Sequence, residues 1–156
     1  MLDIMVPGHK HLRLTHLVLD YNGTVACDGV LIPGVVEKLE ALSKNLEIHV
    51  LTADTFGSVR RQLEGAHCRL FVIPESEQAK AKADYVRALG LEDSVCVGNG
   101  RNDRLMLKEA ALGIAVMQTE GASLEAVLAA DVVTGGILDG LDLLLNPLRL
   151  IAALRS

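Results

Sequence analysis

The chain has no tryptophan, and its aromatic residues amount to two Tyr and two Phe, 3% of 156 residues. With 50% of the residues hydrophobic, a core of useful size must be built from Leu, Val, Ile and Ala. There is no excess of positive charge: 15 Lys and Arg stand against 20 Asp and Glu, net −5. No basic patch forms along the sequence, and nucleic acid is not an expected partner. Cysteine is scarce, and Cys27, Cys68 and Cys96 lie far apart with no metal-type spacing. They read as reduced thiols. No apolar run approaches ~20 residues, so no membrane span is expected. Met1 to Pro7 is too short and too acidic for a signal peptide. A cytoplasmic location is the expectation, with His9-Lys10-His11 in a solvated N-terminal tail.

What the chain does have is alternation. His16-Leu17-Val18-Leu19-Asp20 is an apolar run that stops at a carboxylate, followed by the turn residues Asn22-Gly23. Four further short apolar runs follow: Leu46–Leu51, Arg69–Ile73, Ser94–Val97 and Leu112–Val116, with a last short one at Asp131–Val133. Between them lie segments of helical character: Pro33–Ser43, Ser58–Leu63, Glu77–Leu89, Leu105–Ala111 and Glu120–Ala129. Val25–Ile32 predicts a loop or small hairpin, and Ile137–Leu154 one or two amphipathic helices broken at Asn146-Pro147. Strands alternating with helices across short connections predict an α/β fold: one doubly wound, Rossmann-like parallel sheet with helices on both faces. A single domain over 1–156 is expected, its core spanning about 14–145 and its helical tail 137–154. His49, inside the second strand, is expected on a sheet face.

In such a sheet, ligands bind at the carboxyl edge where strand order reverses. Several strands end there in polar residues: the first in Asp20 and Asn22, the second in Thr52, the fourth in Asn99, Asn102 and Asp103. Lys80 and Lys82 begin the helix before the fourth strand. By itself Asp20 is either a turn cap or a nucleophile and hard oxygen ligand. Together, a carboxylate, a hydroxyl, a cation and a second carboxylate make the set that phosphoryl transfer requires.

The ordered set resembles the four motifs of the haloacid dehalogenase superfamily, and within it the phosphorylation domain of P-type ATPases and their soluble relatives. Asp20-Tyr21-Asn22-Gly23-Thr24 is similar to the first motif and Leu51-Thr52-Ala53-Asp54 to the second. Lys82 with Val86 and Leu89 is similar to the third, and Gly98-Asn99-Gly100-Arg101-Asn102-Asp103 to the fourth. The resemblance covers roughly residues 14–145, and four motifs in order make it specific. It implies a Mg²⁺-dependent phosphohydrolase with Asp20 as phosphoryl acceptor. Thr52, Ala53, Lys82 and Asn102 would hold the phosphoryl group, and Asp20, Asn22, Asn99 and Asp103 the metal. Lys82 is preferred over Lys80 because Val86 follows it by four residues.

Two positions depart from that family. Asn22 stands where its phosphatases carry the general acid and base, and Asn99 where an acidic metal ligand is usual. Slow turnover and weakened Mg²⁺ affinity are the expectations. A phosphate- or nucleotide-binding regulatory module with little or no turnover is the alternative. A receiver domain is disfavoured because Asp20 lacks the acidic partner such domains keep. Neither Asp20–Thr52 nor Thr52–Lys82 is long enough for a cap domain. The expected substrate is a phosphorylated small molecule or phosphoprotein, with a homo-oligomer as the possible cover for the site.

Overall fold

Leu17, Val18 and Leu19 are completely shielded from solvent, as consecutive apolar residues must be in a strand covered on both faces. A computed structural model describes residues 1–54 and 57–156 and shows how that cover is arranged. The chain opens with strands β1 (Leu2–Val6) and β2 (Lys10–Leu14), followed by the central β3 (His16–Asp20) and the small β4 (Ala26–Cys27) and β5 (Val30–Leu31). Helix α1 (Val35–Leu42), β6 (Glu47–Thr52), α2 (Ser58–Gln62), β7 (Cys68–Val72) and α3 (Gln78–Leu89) come next. The second half runs β8 (Ser94–Gly98), α4 (Arg104–Glu109), β9 (Leu112–Val116), α5 (Leu124–Ala129), β10 (Val132–Thr134), α6 (Ile137–Leu145) and α7 (Pro147–Leu154).

Six strands form one parallel sheet in the order β10-β9-β8-β3-β6-β7. From β3 the chain moves outward through β6 and β7, then returns to the other side of β3 as β8. The order therefore reverses at β3, whose last residue is Asp20. The α/β sheet expected from the alternation is borne out.

Side-chain alternation divides the core into two layers. Leu17, Leu19, Ile48, Val50, Val95 and Val97 face one layer, with Leu39 of α1 and Leu141 and Leu144 of α6. Val18, Leu51 and Cys96 face the other, with Val86 of α3, Met106 and Leu107 of α4, and Ala126 of α5. Burial of Cys96 raises its thiol well above the ordinary cysteine range, which disfavours the reactive thiolate.

The N-terminal residues correct one expectation. They are not a solvated tail but an antiparallel hairpin, Leu2 pairing with Leu14 and Val6 with Lys10. Ile4, Val6, Leu12 and Leu14 are all buried in the first core layer, and α7 packs on β1. The cause is the period-two pattern Ile4-x-Val6 and Leu12-x-Leu14 on either side of a Pro7-Gly8 turn. His11 accordingly sits on the outer face against Asp3, at 2.6 Å.

A second correction concerns Glu120–Ala129. The helix begins only at Leu124, because Gly121 takes a left-handed φ of +76° and Ser123 caps the first turn, accepting from the Glu125 backbone N–H. The tail does fold as two helices broken at Asn146-Pro147, with Leu141, Leu144 and Leu150 buried and Leu148 outward. Thr55, the last of the small polar residues expected after β6, lies outside the described residues.

Candidate active site

The carboxyl edge of β3, β6 and β8 gathers the polar residues that end those strands. Asp20 ends β3 and Thr52 ends β6, and both are buried. Asp103 follows β8 in a tight turn, fully buried. Its Oδ2 accepts the backbone N–H groups of Asn99 (3.0 Å) and Gly100 (2.9 Å). A Cβ on Gly98 would lie 2.5 Å from the Asp103 carboxyl carbon, so only glycine lets this carboxylate sit against β8. The glycine-flanked loop thus aims Asp103 back at the sheet edge.

Lys82 joins the two carboxylates. Its side chain is 1% exposed, and Nζ donates to Asp20 Oδ1 at 2.6 Å and to Asp103 Oδ1 at 2.7 Å. Lys80, the competing lysine, is exposed and pairs with Asp84 at 2.7 Å. One buried ammonium facing two buried carboxylates leaves an excess negative charge. Burial and the neighbouring Asp103 push Asp20 up to about 7, against the pull of Lys82 and the Thr24 hydroxyl. Burial acts to lower Lys82, but Asp103 and Asp20 outweigh it and hold Lys82 above its ordinary value.

Thr24 completes the cluster. Its hydroxyl lies 3.1 Å from Asp20 Oδ2 and 3.1 Å from Asn99 Oδ1, so both oxygens face one point. Asn99 spends its amide elsewhere, Nδ2 donating to the Gly121 carbonyl at 3.1 Å. That bond requires an amide and is closed to a carboxylate. Gly23 has φ +78°, and a side chain there would collide with Asn99, which fixes glycine at this turn.

The remaining expected residues take separate positions. Asn22 is exposed at the turn after β3. Thr52 Oγ1 accepts the Asp54 backbone N–H at 3.1 Å. Ala53 is part-buried beside it. Asn102 is turned to the start of α3, Nδ2 donating to Gln78 Oε1 at 2.7 Å, and so is engaged away from the charged cluster. Two contributors had no strong sequence signal. Gln118 donates to the carbonyls of Gly23 (3.1 Å) and Thr24 (2.6 Å) and accepts the Ile137 N–H, which clamps the Asp20 loop from β9. The Asp28 N–H donates to Glu120 at 3.1 Å, which holds the β4–β5 hairpin beside that loop. Thr24 was legible as part of the first motif, but its hydroxyl was not.

The oxygen-rich set of Asp20, Asp103 and Asn99 fits a hard divalent cation such as Mg²⁺. The fit rests on the excess buried negative charge and on the convergence of the Asp20 and Asn99 oxygens at Thr24. A cleft of about 410 Å³ lies at the opposite edge of the sheet between Lys10, Arg13, Glu92 and Glu109. It holds none of these groups.

Solved structures share this arrangement of strands and helices. A 3-deoxy-D-manno-octulosonate 8-phosphate phosphatase from Moraxella catarrhalis, in complex with magnesium, phosphate and KDO, superposes with TM-score 0.72 and 17% identity over 90% of each chain. The cobalt-bound phosphatase of that kind from Haemophilus influenzae gives 0.70 and 18%, covering 85% of this chain and 88% of that one. A putative HAD family hydrolase from Streptomyces avermitilis gives 0.63 and 22%, covering 78% and 76%. The fold is that of the HAD hydrolases, as the four motifs implied. No family model matches the sequence.

In sequence, the chain belongs to one family with two proteins of Methanocaldococcus jannaschii. It is 51% identical to "Uncharacterized protein MJ0073" over 62 residues, 40% of this chain and 67% of that protein. It is 49% identical to "Uncharacterized protein MJ0072" over 39 residues, 25% of this chain and 89% of that one.

Proposed function

We propose that the protein is a Mg²⁺-dependent phosphohydrolase that works through an aspartyl-phosphate on Asp20, with slow release. One observation carries this: a buried lysine bridges two buried carboxylates at the edge where the strand order of a HAD fold reverses. A carboxylate oxygen of Asp20 attacks phosphorus, the P–O bond to the leaving group breaks, and water then cleaves the acyl phosphate to restore Asp20. Lys82 offsets the charge that builds on the phosphoryl oxygens and holds Asp20 in place. Asp103, fixed by two backbone N–H groups, keeps Lys82 oriented. Thr52 and the neighbouring Ala53 would meet the phosphoryl group at the end of β6, and Asn102 would do so on leaving Gln78. Asp20, the Asn22 carbonyl, Asn99 and Asp103 would hold Mg²⁺, which supplies charge neutralisation at the phosphoryl group.

An Asn22 side chain neither protonates the leaving group nor takes the proton of the attacking water, and a positioned acid or base contributes about 10²–10⁴-fold. With no base for the water, release of the acyl phosphate is the slow phase. The same residue, with Asn99 bonded to the Gly121 carbonyl, favours the second reading, a phosphate-binding module with no turnover. The two separate in one experiment: phosphate release from a panel of small phosphomonoesters with Mg²⁺, for wild type and Asp20→Asn. Slow release abolished by the substitution supports the enzyme. Binding of a phosphate mimic with no release supports the module, and release unchanged in Asp20→Asn overturns both. The segment between Asp20 and Thr52 holds the β4–β5 hairpin, α1 and the body of β6. A small phosphorylated metabolite is the proposed substrate class, with a neighbouring copy of the chain as the proposed cover.

A further inference from the structure

At the other edge of the sheet, three metal-ligating side chains meet. His16 opens β3 and Glu47 opens β6, directly opposite one another in the parallel register. His49 lies two residues along β6, on the same face as Glu47. His16 Nδ1 is 3.2 Å from His49 Nε2, and Glu47 Oε2 is 3.8 Å from the first and 4.0 Å from the second. The structure assigns this triad as a second metal site, for a borderline divalent cation of the Zn²⁺ class.

The donor set and spacing both fit. Two imidazole nitrogens and one carboxylate oxygen are a ligand set of Zn²⁺ sites that keep an open position for water. Tetrahedral ligands at metal–ligand distances of about 2.0–2.1 Å lie about 3.3–3.4 Å apart. The two nitrogens already meet that spacing. Glu47 needs to move in by about half an ångström, and its side chain is 56% exposed and free to rotate. Arg69 Nη2, 3.8 Å from the same oxygen and 73% exposed, is a weak competitor that water can replace.

The outer contacts fit as well. His49 is buried, and its other nitrogen, Nδ1, lies 2.8 Å from the Tyr85 hydroxyl. A metal on Nε2 leaves the proton on Nδ1, which then donates to the Tyr85 oxygen and fixes the ring, as ligating histidines require. The triad is remote from Asp20, four residues farther along β3, about 13 Å at 3.3 Å per residue. It does not rest on the phosphohydrolase assignment.

Equilibrium dialysis against Zn²⁺, with Mg²⁺ in excess, tests this on wild type, Asp103→Asn, His16→Ala, Glu47→Gln and Tyr85→Phe. The expected result is one Zn²⁺ equivalent in wild type and in Asp103→Asn, lost in His16→Ala. Glu47→Gln, which alters an exposed side chain and spares the fold, should weaken it at least tenfold. Tyr85→Phe should weaken it by about 10–100-fold. Cobalt in place of zinc should give the visible absorption of a four-coordinate site, absent in His16→Ala. No Zn²⁺ bound under these conditions, or binding abolished by Asp103→Asn and indifferent to His16→Ala and Glu47→Gln, overturns the proposal.

Discussion

Replacing Lys82 by Met removes the cation that bridges Asp20 and Asp103 while keeping a side chain of similar length. Removing one partner of a buried ion pair costs about 3–5 kcal/mol, because the remaining charge stays buried without compensation. Here two carboxylates are left behind, 2.6 and 2.7 Å from the lost ammonium, so the upper end of that range is expected near pH 8. With a urea slope of about 2 kcal/mol per molar, the unfolding midpoint should fall by about 2.5 M. Two further results identify the cause. The deficit should shrink at pH 5, where Asp20 takes up a proton, and adding Mg²⁺ should stabilise Lys82→Met. Urea melts followed by circular dichroism, with and without Mg²⁺, measure all three. A loss below about 0.5 kcal/mol at pH 8 without Mg²⁺ would refute the buried charge triad.

Three more expectations follow from the same geometry. Asn22→Asp supplies the missing acid at an exposed position, and multiple-turnover phosphate release should rise by up to about 10²–10⁴-fold; an unchanged rate would place the slow step elsewhere. Asn99→Asp turns a donor at the Gly121 carbonyl into a second acceptor, so a thermal or urea melt without Mg²⁺ should show a loss of about 1–3 kcal/mol. Asp20, raised from 3.8 to about 7 in the folded chain, binds a proton more tightly folded than unfolded. Its contribution to stability is therefore present at low pH and lost as pH rises from about 4 to 7. Asp20→Asn should thus gain on wild type across that window in metal-free urea melts, by at most about 4 kcal/mol. His49, lowered from 6.5 to about 4 chiefly by burial, has the opposite slope and loses stability as pH falls through that range. It is common to both proteins and cancels in the difference.

The strand ends were legible because the apolar runs stop abruptly at Asp20, Thr52 and Asn99, and because turn residues follow each one. The preference for Lys82 over Lys80 came from the four-residue spacing to Val86 in the resembled motif, and the structure puts Lys82 and Val86 on the buried side of α3. The partners that tune the site were not legible. The hydroxyl of Thr24, the Gly121 carbonyl that engages Asn99 and the clamp from Gln118 are contacts across 22 to 95 positions, set by how the loops pack. Asn102 could be assigned to a motif but not aimed, since its direction depends on Gln78 in another element. The N-terminal hairpin is only faintly legible: its period-two pattern is short, and packing under α7 is what makes it core. The His16–Glu47–His49 triad needs the parallel register of β3 with β6, which no local pattern carries.

The most direct measurement is mass spectrometry of the protein after rapid acid quench from a small phosphomonoester and Mg²⁺. The expected result is an added phosphoryl group that maps to Asp20, accumulates in wild type, is absent in Asp20→Asn and is shortened in lifetime by Asn22→Asp. Hydrolysis that proceeds with no phosphoryl group on Asp20, and that survives Asp20→Asn, would contradict the aspartyl-phosphate route.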